Sequence, residues 1–140
     1  MPKLYFYDTG LVCALLGITE PVMLNFHPLA GSIFENFVVS ELVKYRYNKA
    51  LPLNMFFWRD NIGHEIDIIS EKGDKLFPVE IKSGRTITSD FFKNLIFWQS
   101  VSGTAEGAVI YGGDSAQERS NGITVVPWQK LGMLYKRGVI

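Results

Sequence analysis

Two carboxylates and a lysine stand out by their spacing. Asp67 lies in the stretch Gly63-His64-Glu65-Ile66-Asp67-Ile68-Ile69, and Glu80 and Lys82 lie in Phe77-Pro78-Val79-Glu80-Ile81-Lys82. Both stretches alternate, and Gly73-Asp74 between them reads as the two-residue loop of a β-hairpin. In that register Lys72 faces Lys75, Asp67 faces Glu80 and Glu65 faces Lys82. One face then carries Glu65, Asp67, Glu80 and Lys82, while the other carries Ile66, Ile68, Phe77, Val79 and Ile81. Opposed acids repel and weaken a strand pair, so something must offset them: a cation, a raised pKa or the nearby lysine. A divalent metal held by Asp67 and Glu80, with Lys82 on the same face, meets that condition. The plainer reading is the wet face of an amphipathic hairpin, with Glu65 and Lys82 as a surface ion pair. A bulge at Pro78, which has no N–H to give, would move Glu80 off this face.

The elements that must position these residues follow from the flanking pattern. Leu4-Tyr5-Phe6-Tyr7 reads as a short extended piece, and Asp8 caps a helix over residues 11–16 that Gly17 ends. Residues 19–30, with Pro21 and Pro28, read as a loop. Phe34, Phe37, Val38, Glu41, Leu42 and Tyr45 fall at helical spacing, predicting a helix from Ile33 to about Lys49 that packs on a sheet. Glu35 sits in its first turn and has two readings. Ser32-x-x-Glu35 is a capping box; alternatively, Glu35 points over the sheet toward Asp67 and Glu80. Residues 54–59 predict the first strand of the sheet, and the hairpin follows. Ser89 or Asp90 then caps a helix carrying Phe91, Phe92, Leu95, Ile96 and Trp98. Residues 107–111 and 123–127 are strands around a polar, Gly-rich loop, and a short helix over 128–134 closes the chain.

The resulting order predicts an α/β fold, a mixed central sheet flanked by helices. The chain of 140 residues is long enough for one domain with a real core, and its aromatic content excludes a disordered chain. Its domain organisation reads as a lead-in over 1–30 and a main domain over 31–140, together one globular unit. Zero net charge argues against a strongly basic, non-specific nucleic-acid binder, though not against a local basic patch. The lone Cys13 rules out an internal disulfide and a cysteine zinc site. His27 and His64 are too far apart to suggest one, and no phosphate-binding glycine loop occurs. With no secretory signal and no apolar run of membrane-spanning length, a soluble, cytoplasmic protein is expected.

Helix Glu35, then Asp67, then Glu80-Ile81-Lys82, in the order αβββαβ, resembles the PD-(D/E)xK nuclease superfamily. Ile66 stands where that superfamily's name has a proline, a position that varies widely within it. A closer resemblance covers nearly the whole chain. Residues 3–11, Gly31-Ser32-Ile33-Phe34-Glu35-Asn36-Phe37-Val38, Phe57-Trp58-Arg59, 63–67 and Val79-Glu80-Ile81-Lys82-Ser83-Gly84 resemble the uncharacterised domain that follows the AAA-type ATPase domain in many predicted bacterial and archaeal ATPases. This resemblance implies an ATPase domain as partner and, given the abrupt start and the missing P-loop, a C-terminal piece of a longer ATP-binding protein.

The superfamily resemblance implies a Mg²⁺- or Mn²⁺-dependent phosphodiesterase acting on DNA. Glu35, Asp67 and Glu80 would bind the metal, with Asp67, Glu80 and Lys82 as the catalytic set. Arg59 and Arg85 are available to phosphate, although solvated arginine is the commoner reading. Phe57, Trp58 and Trp98 are more often core than base-stacking platforms. Three functions follow: a nuclease working with an ATPase, a catalytically inactive nuclease-like binding or regulatory module, and a docking domain for the ATPase assembly.

Overall fold

The computed structural model describes residues 2–140. The chain divides into two compact units, the first ending at Leu53 and the second running Asn54–Ile140.

In the first unit, residues 4–7 belong to no helix or sheet, and Tyr7 lies in a bend. Asp8 caps α1 (Thr9–Leu15) as expected, its Oδ1 accepting from the Gly10 and Leu11 N–H groups at 2.7 and 3.2 Å. The segment expected as a loop contains a one-turn helix, α2 (Pro21–Leu24), which Pro21 opens because a first-turn residue needs no N–H. The long helix α3 (Ala30–Asn48) starts earlier than the capping box requires. Leu29 is its N-cap and makes no side-chain cap bond, so Ser32 lies inside the helix and the capping box is not formed. Asn36 holds the lead-in to α3: Phe6 N–H donates to its Oδ1 at 2.7 Å and its Nδ2 donates to the Phe6 carbonyl at 3.0 Å. One amide side chain thereby satisfies both backbone groups of Phe6, as a neighbouring strand would.

The second unit is a six-stranded mixed sheet: β1 (Met55–Arg59), β2 (Glu65–Lys72), β3 (Lys75–Lys82), β4 (Gly107–Tyr111), β5 (Gln117–Glu118) and β6 (Ile123–Pro127), in the spatial order β1-β2-β3-β4-β6-β5. The first three strands are antiparallel, and β3, β4 and β6 run parallel. The hairpin register is the one expected, from Lys72↔Lys75 through Ile69↔Pro78 to Ile68↔Val79. Pro78 makes no bulge, and pairing of β3 with β4 begins one residue beyond it, at Val79↔Ala108. Between β3 and β4 the chain crosses over through a 3₁₀ turn (Ser89–Phe92) and α4 (Lys93–Ser102). Neither Ser89 nor Asp90 caps that helix, which starts from Phe92 without a side-chain bond. The loop expected between 112 and 121 carries the short strand β5, paired antiparallel to β6. A 3₁₀ turn (Trp128–Lys130) and α5 (Gly132–Arg137) close the unit. Among the described residues no helix is long and apolar enough to cross a membrane.

The core that supports the polar residues gathers around α4. Ile66, Ile69, Phe92, Leu95, Trp98, Val109, Tyr111, Ile123 and Val125 form one buried cluster. β4 and β6 are buried along their whole length, as parallel strands covered on both faces must be. At about 1.5–3 kcal/mol for each fully buried aliphatic side chain, this cluster offsets the cost of the buried charges that β2 and β3 carry into it.

Gly112 follows β4 and fixes where β3 ends, its N–H donating to the Lys82 carbonyl at 3.0 Å. A Cβ there would lie 2.2 Å from the Ser83 carbonyl oxygen, a backbone atom that cannot rotate away. Gly112→Ala is therefore expected to push the Lys82-Ser83 segment off β4 and to destabilise the protein by about 1–3 kcal/mol, the usual cost of overpacking. Chemical denaturation checks this; a midpoint equal to wild type would mean the two segments are not in close contact.

Candidate functional site

β2 and β3 do not stay paired to their shared end. On the other side of β2, β1 registers as Phe56↔Ile69 and then Trp58↔Ile66, two steps on one strand against three on the other. β2 therefore holds an extra residue, Asp67 or Ile68, opposite Phe57: a β-bulge, the device that re-aims a side chain out of regular alternation. Ile66 and Ile69 both belong to the cluster under α4, three apart rather than two, as an inserted residue between them allows. Beyond Ile68↔Val79 the hairpin is linked through a side chain: Asp67 Oδ2 accepts from the Ile81 N–H at 2.8 Å. Asp67 is thus built into the sheet as an acceptor, not simply set across from Glu80.

The face that carries Asp67 and Glu80 is not wet. Asp67 is 9% exposed and Glu80 1% exposed. This removes the reading of a solvated hairpin face. Lys82 Nζ sits 2.5 Å from Glu80 Oε2. The expected Glu65–Lys82 surface pair is corrected accordingly: Lys82 turns to Glu80, and Glu65 registers with Arg59 on β1, their charges 3.8 Å apart.

Burial pushes the Glu80 carboxyl up to about 7, and the Asp67 charge beside it adds to the effect. Lys82 acts the other way, and the Asn94 side chain of α4 also favours the charged form without closing a hydrogen bond to Oε1. Glu80 Oε1 is consequently buried with no hydrogen-bond partner among the described residues. For Lys82, burial works against the ammonium, but Glu80, Asp67 and Asp90 together outweigh it and hold its pKa above the ordinary lysine value. Lys82 is a cation at any physiological pH. It can neutralise charge but cannot act as a base.

Of the residues singled out by sequence, Asp67, Glu80 and Lys82 come together on β2 and β3. Glu35 lies on α3 in the first unit, where its Oε1 accepts from Lys3 Nζ at 2.8 Å and from the Tyr5 hydroxyl at 2.6 Å. Among the described residues no three His, Cys, Asp or Glu side chains group as a metal site. The pair Asp67–Glu80 nevertheless fits a hard divalent cation: both donors are oxygen, and one of them is an orphaned buried oxygen. Magnesium in particular takes one or two carboxylates and fills its remaining positions with water and phosphate oxygens.

Sequence reasoning missed Asn94 and Asp90, which α4 and the turn before it bring toward Glu80 and Lys82. It also missed Asp60. That residue folds the β1–β2 loop around itself, its Oδ1 accepting from the N–H groups of Ile62, Gly63 and His64 at 2.7–3.0 Å. Only the Asp60-Asn61-Ile62-Gly63 turn composition hinted at this, since an aspartate opening such a turn bonds the backbone ahead of it.

No solved structure matches the chain. The uncharacterized protein Mb2031c of Mycobacterium bovis and the uncharacterized protein Rv2008c of Mycobacterium tuberculosis are each 29% identical to it over 126 residues, covering 90% of this chain and 27% of theirs. The chain thus spans about a quarter of the length of the curated relatives it matches. Residues 30–131, which run from the start of α3 past β6 and take in Asp67, Glu80 and Lys82, match the family described as Domain of unknown function (DUF4143), and the chain belongs to that family.

Proposed function

We propose that this chain is a divalent-metal-dependent phosphodiesterase domain of the PD-(D/E)xK type, acting on DNA in partnership with an AAA-type ATPase domain. The observation that carries the reading is Glu80: a carboxylate 1% exposed, one oxygen without a partner, next to a second buried carboxylate and in contact with a lysine. A buried unsatisfied oxygen costs about 1–3 kcal/mol or more when charged, so the fold keeps Glu80 at a loss that a bound cation would recover. Asp67 and Glu80 would hold Mg²⁺ or Mn²⁺, which supplies an acidified water and a counter-charge for the reacting phosphate. Lys82, held as an ammonium, would neutralise the negative charge that builds on the phosphate oxygens. The relatives are several times longer than this chain, which leaves room in them for an ATPase domain.

That no three-ligand group occurs among the described residues favours, as second reading, a nuclease-like module that binds without cutting. Titration calorimetry with Mn²⁺ separates the readings at their root. Binding to wild type is expected, and its loss in both Asp67→Ala and Glu80→Ala; heat of equal size from all three proteins would place any metal elsewhere and end the proposal.

A further inference from the structure

His64, partly buried, is held on two sides. Its Nδ1 lies 2.7 Å from Asp60 Oδ2, while Asp60 Oδ1 is already bound to three backbone N–H groups and so cannot swing away. Its ring lies flat on Phe97 of α4, centroids 3.6 Å apart and planes 8° from parallel, and Phe97 stacks in turn near Trp58 of β1. The Asp60 contact fixes one proton on Nδ1. Nε2 is left as the working nitrogen, with no hydrogen-bond partner among the described residues.

The place of this ring matters as much as its mooring. The β1–β2 loop sits at the edge of the sheet where β1 ends at Arg59, β2 begins at Glu65, β3 ends at Lys82 and β4 ends at Tyr111. Asn94 reaches Glu80 and Phe97 carries His64, both from α4. Residues three apart on a helix lie on one face of it, with Cβ atoms about 5–6 Å apart, so one face of α4 meets both Glu80 and His64, and His64 stands on the same side and at the same edge of the sheet as the Asp67–Glu80–Lys82 group.

We propose that His64 is the general acid of this site, positioned by Asp60 and Phe97, and that it protonates the oxygen leaving phosphorus when a phosphodiester is cut. The inference rests on the phosphodiesterase reading. In the step, a water oxygen forms the new bond to phosphorus, and the bond from phosphorus to the leaving sugar oxygen breaks with its electron pair. That oxygen takes the proton from His64 Nε2, the attacking water's proton goes to solvent, and His64 regains a proton from solvent. Lys82 donates charge to the phosphate and no proton. The charged groups on this side of the sheet are Asp60 in the same loop, the Arg59–Glu65 pair on the adjoining strand ends and the Asp67–Glu80–Lys82 group; α4 presents the Phe97 ring, which does not titrate.

The test uses two substrates, an oligonucleotide, whose leaving alkoxide needs a proton, and thymidine 5′-(p-nitrophenyl phosphate), whose phenolate does not. His64→Gln and His64→Phe are compared with wild type in Mn²⁺; the second keeps a ring on Phe97. Both variants are expected to cut the oligonucleotide about 100-fold or more slowly, as loss of a general acid does, while hydrolysing the nitrophenyl ester at close to the wild-type rate. An equal loss on both substrates would make His64 merely structural, and wild-type rates on the oligonucleotide would remove it from the reaction; either result overturns this inference alone. Wild-type protein that binds Mn²⁺ yet cuts neither substrate would overturn the inference together with the phosphodiesterase reading.

Discussion

Metal-free wild-type protein is expected to become less stable as pH rises from about 4.5 to about 7, the interval between the ordinary glutamate value and that of Glu80 in the fold. The sign follows from proton counting. Across that interval the folded state holds a proton on Glu80 that the unfolded chain has released, so raising the pH favours unfolding. The stabilisation is fully present below about 4.5 and lost as pH passes through about 7. At ~1.4 kcal/mol per pKa unit the loss is on the order of 3 kcal/mol. Glu80→Gln is neutral at every pH, so its melting curve should lack this slope and lie above wild type at pH 8 in the presence of a chelator. Adding Mg²⁺ should reverse the order. A ligand at a thousand times its dissociation constant stabilises by ~4.1 kcal/mol, more than the loss, and only the protein with an ionised Glu80 has the proposed site. Differential scanning calorimetry of both proteins between pH 4.5 and 8, with chelator and with Mg²⁺, measures all of this. If the difference between the two proteins does not change with pH, Glu80 is ionised throughout and its orphaned oxygen carries no weight.

Why Glu80 could be found by reading, and Asp60 could not, is a matter of range. The hairpin was legible because its information is local: Gly73-Asp74 sets the turn, and period-two alternation sets which residues share a face. Asp8 was legible for the same reason, since a cap bonds N–H groups two and three residues ahead. Glu35 was misread because a capping box and a tertiary acceptor look alike locally. The partners that decide it, Lys3 and Tyr5, lie about thirty residues earlier. The bulge at Asp67 and Ile68 arises from pairing with β1, and nothing inside β2 announces it. β5 is two residues long and polar, too short for any period to show. The burial of Glu80 depends on α4 and β4 closing over the sheet, so alternation could name the face but not say whether it was dry.

If the proposed reading holds, Lys82→Met should slow cleavage severely without abolishing the metal site, and the two effects should part with pH. Lys82 is the main group that favours the ionised form of Glu80. Without it, burial and the Asp67 charge act unopposed and push Glu80 above about 7. At pH 7 a proton then competes with the metal for the carboxylate, and Mn²⁺ affinity in the mutant should fall. Raising the pH further removes that proton, and calorimetry should find affinity returning toward wild type. Cleavage should not return with it. The ammonium beside the reacting phosphate is missing at every pH, a loss of about 10²–10³-fold if Lys82 serves as a preorganised counter-charge. The tuning of Glu80 and the proposed meeting of Lys82 with the phosphate are thereby read on separate axes, one restored by base and the other not. If activity instead recovers in step with metal occupancy as pH rises, Lys82 only tunes Glu80, and the charge on the transition state must be met by another residue, with Arg59 and Arg85 the first to replace.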